Sequence, residues 1–339
     1  MKYRKFGKLD WQISEIGFGA WAIGGDMWGP QNDDESVKAL HKALDLGVNF
    51  IDTAQGYGSG HSEEIIGKVL RERKEVIYVA TKVPPKGYAP WPPPDNYDSR
   101  NSYPAEYIIE ECEKSLKRLQ RDYVDIYQFH TWAPAFNSSD EWFEAMSKLK
   151  QQGKIRAIGV SVHDTTPDSV LASLVNGKVD SVQVIYNIFE QYPQFNLLPI
   201  AELTGTGIIV RVPFDEGSLT GKFTVDTKFP EGDVRKHYFR GNNLPAVIEK
   251  VKEIDEFKNS KGHSNWSMPE YALRFCLSHS AVSTVIPGIR NVKQAELNCA
   301  AGDGILLDKK ELEELKDFYW RKDFWREEVK LEENIPTTT

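Results

Sequence analysis

Four side chains that can take part in proton transfer stand at or just beyond the ends of apolar runs. Asp52 ends "VNFID", Lys82 ends "VIYVATK" and His130 ends "VDIYQFH", while Tyr57 lies among glycines shortly after Asp52. Each one alone has a simple structural explanation, such as a capping aspartate or a lysine whose ammonium reaches solvent. All four at one rim are hard to explain as packing, because an uncompensated buried charge is costly.

These residue types suit the protonation of an oxygen on which negative charge develops. A tyrosine has a pKa of about 10 and is a weak acid at neutral pH. A neighbouring Lys82 ammonium favours phenolate and is predicted to lower the pKa of Tyr57. Asp52 would hold Lys82, and His130 would position a carbonyl oxygen near the phenol. Carbonyl reduction needs this arrangement together with a hydride donor, which no amino acid supplies.

The elements that must position these side chains are eight apolar runs, each followed by a helical pattern. The runs are rich in β-branched residues with little polar alternation, as expected of parallel strands buried on both faces. Eight such units in series predict an α/β fold, a (β/α)8 TIM barrel, with an N-terminal β-hairpin that turns at Gly7. Strands two, three and four then carry Asp52, Lys82 and His130 to one rim. The runs are "ISEIGFG", "VNFID", "VIYVATK", "YVDIYQFH", "RAIGVS", "DSVQVIY", "GIIVRVP" and "VSTVIPG".

Two connections are longer than is usual between a strand and the next helix. They follow strand 3, over residues 83–104, and strand 7, over residues 214–243. Both lie on the face where the strands end, which carries the active site in such barrels. No linker or low-complexity tract interrupts the chain, and residues 1–339 are predicted to form a single domain.

Composition excludes several classes of partner and site. The chain has 42 basic and 50 acidic residues, a net charge of −8, and no dense Lys/Arg block, which argues against nucleic acid or an anionic membrane as partner. Cys112, Cys276 and Cys299 are far apart, and the histidines lack ligand spacing, so neither a disulfide framework nor a metal site is expected. The charged start lacks the apolar stretch of a signal peptide, and no apolar run is long enough to span a bilayer. These features predict a cytoplasmic protein.

One dinucleotide-binding pattern is rejected on its context. Gly17, Gly19 and Ala22 fit GxGxxG/A, but "IGGDMWGPQ" follows the pattern directly and contains paired glycines and a proline. The fingerprint has meaning only where it opens a helix. We interpret the segment as a strand end and loop of the barrel.

The segment "DTAQGYGSGHSEEIIGKVL" resembles the DTAxxYGxGxSExxxGxxL signature of the aldo-keto reductases. "ATKV", "YVDIYQFH", "GVS", "LTGKF" and "VIPGIRNVKQAELN" follow in the order and at the spacing of that family, so the resemblance covers nearly the whole chain. It implies a (β/α)8 fold, NADPH as hydride donor, and a catalytic tetrad of Asp52, Tyr57, Lys82 and His130.

The resemblance also implies a cofactor site. Ala20 and Trp21 would border the nicotinamide, Ser161 and Gln183 would hold its carboxamide, and "PFDEGSLTGK" would wrap the pyrophosphate. Arg290 near a helix start suits a 2′-phosphate, because guanidinium binds phosphate through two parallel hydrogen bonds, and this favours NADP(H) over NAD(H). The implied cofactor-binding residues are Ala20, Trp21, Asp52, Ser161, Gln183, Arg211, Pro213, Leu219, Gly221, Lys222, Gly288, Arg290, Gln294 and Asn298.

Two positions depart from the family pattern. Val162 stands where many members have an asparagine, so one contact to the carboxamide is missing. Arg211 stands where many have an aromatic ring that stacks on the nicotinamide, and a guanidinium can also stack on a planar ring. Neither departure touches the tetrad.

An NADP-dependent carbonyl reductase or alcohol dehydrogenase is the leading prediction, with a small aldehyde, ketone, sugar or alcohol as substrate. The predicted substrate-binding residues are Trp21, Tyr57, His130 and Trp132, with Tyr88 and Trp91 of the long loop as further aromatic walls. Two alternatives stay open. One is a Schiff-base lyase that uses Lys82 as nucleophile. The other is a cofactor-bound regulatory subunit of a membrane channel.

Overall fold

The computed structural model describes residues 1–25, 27–88 and 90–329. Its strands are β1 (Tyr3–Lys5), β2 (Gln12–Ser14), β3 (Phe18–Gly19), β4 (Phe50–Asp52), β5 (Tyr78–Val83), β6 (Val124–Phe129), β7 (Ile155–Ser161), β8 (Ser181–Ile185), β9 (Gly207–Arg211) and β10 (Val282–Val285). Its helices are α1 (Asp33–Asp45), α2 (His61–Glu72), α3 (Ser99–Ser102), α4 (Ala105–Leu119), α5 (Glu141–Gln151), α6 (Leu171–Val175), α7 (Leu197–Thr204), α8 (Arg235–Tyr238), α9 (Asn243–Ser260), α10 (Met268–Leu277), α11 (Val292–Ala300) and α12 (Lys309–Glu314).

The eight strands from β3 to β10 are parallel and neighbour one another in chain order. Parallel bridges pair Ile16 with Val285 and Gly19 with Gly288, so the last strand meets the first and the sheet closes. Strands β1 and β2 form an antiparallel hairpin, with Gly7 at a positive φ of 54° in its turn. The predicted (β/α)8 barrel with an N-terminal hairpin is confirmed.

Two apolar layers follow from the alternation of side chains along each strand. On β9, Ile208 and Val210 pack in the large outer cluster between strands and helices, while Ile209 belongs to a smaller cluster inside the barrel. The hairpin contributes Phe6 and Ile13 to that inner cluster. The inner cluster therefore fills the barrel with packed side chains.

Polar side chains replace the apolar ones at the carboxyl ends of the same inward-facing rows. Two residues after the interior Phe50, Ala80, Ile126 and Ile209 come Asp52, Lys82, Gln128 and Arg211. Because the period along a strand is two, these four side chains point to the interior at one end of the barrel. We call this carboxyl-terminal end of the barrel the mouth.

The C-terminal segment over residues 319–329 lies across loops of the mouth. The Trp320 N–H donates to the Phe189 carbonyl at 2.9 Å, and Lys322 Nζ lies 2.6 Å from Asp215 Oδ1. This segment therefore packs on the loops after β8 and β9. Among the described residues, no helix combines the length and the apolar character needed to cross a bilayer.

Candidate active site

A buried ion pair forms the base of the mouth. Lys82 Nζ donates to Asp52 Oδ2 at 2.7 Å and to the Thr53 carbonyl at 2.7 Å. Its third hydrogen bond goes to the Tyr57 hydroxyl at 3.1 Å. Asp52 ends β4 and Lys82 stands on the adjacent β5, while Tyr57 opens a short 3-10 turn over residues 57–60 that brings the phenol back over them. The structure thus brings three of the four predicted tetrad residues into direct contact.

The other oxygen of Asp52 is held by two amides. Asp52 Oδ1 accepts from Gln183 Nε2 at 2.7 Å and from Gln128 Nε2 at 3.2 Å. Gln128 was not among the predicted site residues, although it stands two residues before His130 in an inward-facing row. With Lys82 on Oδ2, the carboxylate has three donors, so its position is fixed.

The protonation states differ in part from expectation. Burial raises the pKa of Tyr57 above its ordinary value, and the nearby Lys82 ammonium only partly offsets this effect. The prediction that Lys82 lowers the pKa of Tyr57 below its ordinary value is therefore wrong for the net direction, because desolvation of the phenolate outweighs the attraction. Burial lowers the pKa of Lys82, but the Asp52 carboxylate and the Tyr57 hydroxyl together raise it more, so the amine stays protonated. The base of the mouth is thus a neutral phenol beside an ammonium.

His130 completes the tetrad as a neutral imidazole. Its ring meets the Tyr57 ring edge-on, with centroids 5.7 Å apart. Burial holds the pKa of His130 well below its ordinary value, and the charges of Lys82 and Arg211 add to the shift. His130 Nδ1 is buried without a hydrogen-bond partner among the described residues. A neutral imidazole can donate a hydrogen bond from one nitrogen only, which suits orientation of a carbonyl oxygen.

Aromatic rings line one side of the mouth. Trp21 stacks on Tyr57 with centroids 5.9 Å apart, and Trp91 meets His130 edge-on at 4.9 Å. Trp28, which the sequence did not single out, packs edge-on against Trp21 at 5.2 Å. These contacts form an apolar wall beside the phenol and the imidazole.

Trp132 does not join this wall. Its side chain is 1% exposed and packs against Phe129, Phe136 and Trp142 in the outer cluster. The interpretation of Trp132 as a substrate contact is corrected here, because its ring is enclosed by other aromatic rings of the core. Its position two residues after the inward-facing His130 is not sufficient to expose it at the mouth, because β6 ends at Phe129 and the alternation of the strand does not continue into the loop.

The ends of β7, β8 and β9 form the opposite side of the mouth. Ser161 is buried, with an exposed fraction of 3%. One N–H of the Gln183 amide is used by Asp52, so its second N–H and its side-chain carbonyl oxygen are left for a ligand. Arg211 Nη2 donates to the Val162 carbonyl at 3.1 Å and pairs with Asp164. Arg211 Nε is buried and has no hydrogen-bond partner among the described residues.

The loop after β9, expected to wrap a pyrophosphate, has strained backbone. Val212, Asp215 and Glu216 adopt positive φ angles of 53°, 48° and 54°, a conformation that is unusual for residues with a Cβ and most of all for a β-branched one. The backbone N–H groups of Leu219 and Gly221 are donated to carbonyls of the same loop. They are therefore not free for a phosphate.

The remaining residues of that loop differ in what they offer. Lys222 is exposed, so its ammonium is the group of this segment that can reach a phosphate. Pro213 follows the strained Val212 and is buried. Directly after β3, Ala20 is fully buried, and its carbonyl accepts from Ser62 Oγ at 3.0 Å. Ala20 can border a ligand only through its backbone or its methyl group.

The segment expected at the adenosine end surrounds a cavity of about 500 Å³ lined by Gln31, Arg290 and Gln294 among others. Arg290 donates three hydrogen bonds, to Gln31 Oε1 and to the carbonyls of Trp28 and Pro30. A guanidinium has five N–H groups, so two remain.

Two further predicted residues complete this end of the site. Asn298 Nδ2 donates to the Gly288 carbonyl at 3.4 Å. An added Cβ on Gly288 would meet no atom within 4 Å, so the space over this glycine is open.

The arrangement fits a nicotinamide cofactor. The mouth offers buried, unpaired nitrogens on His130 and Arg211, an open path over Gly288, and cations at Lys222 and Arg290 for phosphates. No group of three or more His, Cys, Asp or Glu side chains among the described residues could hold a metal ion. The chemistry available from the chain is therefore proton donation and orientation at an oxygen, and the hydride must come from a bound cofactor.

Comparison with known proteins agrees with this geometry. Residues 15–319 match the model of the Aldo/keto reductase family. The chain is 34% identical over 300 residues to Aldo-keto reductase YhdN of Bacillus subtilis (87% of each chain), and 32% identical over 310 residues to the NADH-specific methylglyoxal reductase of Escherichia coli (89% of this chain, 93% of that one). Its structure is similar to glycerol dehydrogenase AKR11B4 from Gluconobacter oxydans, with a TM-score of 0.76, 30% identity and 94% of each chain covered. The chain belongs to the aldo/keto reductase family of oxidoreductases, which act on carbonyls with nicotinamide cofactors.

Proposed function

We propose that this protein reduces the carbonyl group of an aldehyde, ketone or sugar with NADPH, and that Tyr57 is the proton donor. The observation that carries the proposal is the Tyr57 hydroxyl 3.1 Å from Lys82 Nζ and beside the neutral ring of His130. A neutral phenol next to a fixed ammonium is an acid whose conjugate base is stabilised as soon as it forms.

Each member of the tetrad has a role that follows from its contacts. His130 donates a hydrogen bond that holds the substrate oxygen near the Tyr57 hydroxyl. Tyr57 gives its proton to that oxygen as negative charge develops there, and Lys82 stabilises the phenolate left behind. Asp52 keeps Lys82 charged and in place through a hydrogen bond of 2.7 Å. In the reverse direction the same phenolate accepts the proton of an alcohol, so one site serves both directions.

The cofactor supplies the hydride when it is bound. Ser161 and the Gln183 carbonyl would hold the carboxamide, Arg211 would border the ring, and Lys222 would meet the pyrophosphate. The two remaining N–H groups of Arg290 favour the extra phosphate of NADPH over NADH. The NADH-specific relative from E. coli makes this preference a point for direct measurement.

The aromatic wall defines the substrate class. Trp21 and Trp91 flank the Tyr57–His130 pair, and both are partly exposed to the mouth. Such a wall binds the carbon skeleton of a small carbonyl compound by apolar contact, while the oxygen is held by Tyr57 and His130. The complementary product is the corresponding alcohol.

Schiff-base chemistry at Lys82 is disfavoured by the same geometry. A lysine nucleophile must be a neutral amine, whereas Asp52 raises the pKa of Lys82 despite the opposing effect of burial. All three hydrogens of the ammonium are used by Asp52, Thr53 and Tyr57. Borohydride should therefore trap no substrate adduct on Lys82, and a covalent adduct there would favour the lyase alternative.

The test is a fluorescence titration with NADPH and NADH, followed by a screen of carbonyl compounds. Trp21 lies against Tyr57, so its emission should be quenched by a nicotinamide bound in the mouth. The screen includes methylglyoxal, the compound named for the E. coli relative. Saturable binding with NADPH preferred, and turnover that Tyr57→Phe abolishes, would support the proposal. Failure of both nucleotides to bind would refute it.

A further inference from the structure

A second ion pair, Arg211–Asp164, borders the mouth on the side opposite the aromatic wall. Arg211 ends β9 in the inward-facing row that contains Ile209. Its charge is close enough to depress the pKa of His130, after burial and Lys82, and to oppose the upward shift in the pKa of Tyr57. The guanidinium therefore faces the same space as the proton donor.

The two members of this pair are not equivalent with respect to the mouth. Burial raises the pKa of Asp164, but the charges of Arg211 and His163 lower it by more. The net pKa lies below its ordinary value, so the carboxyl is ionised. Asp164 meets the Arg211 guanidinium at Nη2, so Nε of the same group is left buried without a partner among the described residues. The counter-ion thus covers one edge of the cation, and another edge is left for a ligand.

A third acidic group nearby does not compensate the cation at neutral pH. The Glu216 side chain is 7% exposed and has no hydrogen-bond or ion-pair partner among the described residues. Burial, together with Asp215 and Asp164, raises the pKa of Glu216 to about 8. Arg211 is therefore balanced at pH 7 by Asp164 and not by Glu216.

Hydride transfer changes the charge in the space that Arg211 faces. The carbonyl carbon gains a hydride with both of its electrons, the carbonyl oxygen gains the Tyr57 proton, and the nicotinamide ring is left with one positive charge. For the hydride to reach a carbonyl held by Tyr57 and His130, the ring must lie against that carbonyl. A neutral nicotinamide ring bound beside Arg211 would thus become cationic.

We propose that Arg211, held by Asp164, makes this site bind the reduced nicotinamide cofactor more tightly than the oxidised one. This inference rests on the proposed function and concerns a residue that tunes cofactor selection. The oxidised cofactor is released readily after each reduction, so it inhibits weakly. By linkage, the same preference makes the bound oxidised cofactor a stronger hydride acceptor, which favours alcohol oxidation once it is bound.

Two substitutions should move the affinity ratio in opposite directions. The ratio is the Kd of NADP⁺ divided by the Kd of NADPH, each obtained by titration of protein fluorescence at pH 7 and low salt. Arg211→Gln should lower the ratio by about tenfold or more, because it removes one unit charge from the space in which the ring becomes cationic. Asp164→Asn should raise the ratio by about threefold or more, because it removes the counter-ion.

Further variants keep the test decisive. Arg211→Lys retains the charge and should keep the ratio close to that of the wild type, even if the loss of the hydrogen bond to Val162 weakens both affinities. Arg71→Gln removes an equal charge from an exposed position on α2 and should leave the ratio unchanged.

The outcomes separate this inference from the proposed function. An unchanged ratio in Arg211→Gln, or a fall in Asp164→Asn, would overturn the inference while nucleotide binding by the wild type still supports the reductase. If the wild type binds neither nucleotide, the proposed function itself fails.

Discussion

The two sides of the mouth are built from the same kind of group, an ion pair at a strand end, yet they differ in how completely that pair is bonded. On one side, Lys82 and Asp52 are nearly inaccessible, and every hydrogen of the ammonium has an acceptor. On the other, the Arg211 side chain is 22% exposed, and its Nε has no partner among the described residues. The first pair is complete without a ligand, and the second leaves a donor for one.

This difference indicates that the two sides of the mouth have different roles. We call Lys82–Asp52 the saturated pair and Arg211–Asp164 the unsaturated pair. The saturated pair fixes the position and charge state of the proton donor in advance, so little reorganisation is needed during reaction. On the other side, the unsaturated pair carries an accessible charge, and the nearby Glu216 carries a proton that it loses only above neutral pH. Substitutions on the first side should therefore act on turnover and stability, and those on the second on affinity and pH dependence.

The largest effect is expected on the saturated side, from Tyr57→Phe. Loss of the phenolic proton should lower kcat by about 10²- to 10⁴-fold, the usual contribution of general acid catalysis. The Kd of NADPH should change little, because the aromatic ring against Trp21 is retained. Steady-state kinetics and fluorescence titration on the same preparation measure the two quantities. Turnover close to that of the wild type would remove Tyr57 from the mechanism.

Lys82→Met tests whether the saturated pair also stabilises the fold. It leaves the Asp52 carboxylate buried without its cation, and breaking a buried pair in this way lowers the free energy of unfolding by about 3–5 kcal/mol. Urea denaturation of the wild type and the variant gives the difference. Lys222→Met is the matched control, because Lys222 is exposed: it should leave stability unchanged and weaken NADPH binding. Equal stability of the two variants would show that the comparison between the sides is mistaken.

Glu216 on the unsaturated side should make stability fall as pH rises. Its pKa is about 8 in the folded protein against an ordinary value of 4.5. Between these values the unfolded chain has lost the proton that the folded protein keeps, so the free energy of unfolding decreases from about pH 4.5 to pH 8. Glu216→Gln should therefore be more stable than the wild type at pH 9, by a few kcal/mol, and about equally stable at pH 4.

Thermal or urea denaturation at the two pH values measures this effect. Glu249→Gln, at an exposed position on α9, provides the control and should follow the wild type at both. A Glu216→Gln variant that gained no stability relative to wild type between pH 4 and pH 9 would show that Glu216 is ionised in the folded protein.

The smallest expected effect concerns the adenosine end. Arg290→Ala should reduce the preference for NADPH over NADH by about tenfold, the loss of one charge-assisted contact to phosphate. Arg290 also joins the loop of Trp28 and Pro30 to the start of α11, so the variant should lower the affinity for both nucleotides. The ratio of the two Kd values isolates the phosphate contact. An unchanged ratio would mean that Arg290 serves only to hold the loop.

The barrel and the tetrad were accessible from sequence because both depend on local patterns. A β-branched run that ends in a single polar residue fixes a strand and the face of its last side chain, and adjacent strands then bring Asp52 and Lys82 together. Gln128 follows from the same alternation, since it is two residues from His130, but an amide in a strand gives no chemical signal of its own.

The features that could not be predicted from the sequence depend on packing in three dimensions. The net rise in the pKa of Tyr57 is set by how completely the phenol is buried, which no spacing reports. Trp132 lies in the core because Phe136 and Trp142, from later elements, enclose it. The Arg290 guanidinium donates to the carbonyl of Trp28, which lies more than two hundred positions earlier in the chain. Each depends on how side chains pack in the folded chain, which residue spacing does not report.

The most direct test of the central claim is a single-turnover reaction with NADPH deuterated at the transferred position of the nicotinamide. The substrate is the best aldehyde or ketone from the screen, and the alcohol product is analysed by mass spectrometry. The account predicts one deuterium on the alcohol carbon with the wild type, and product formation slowed by at least about 10²-fold with Tyr57→Phe. Unlabelled alcohol, or labelled alcohol formed equally fast by Tyr57→Phe, would contradict it.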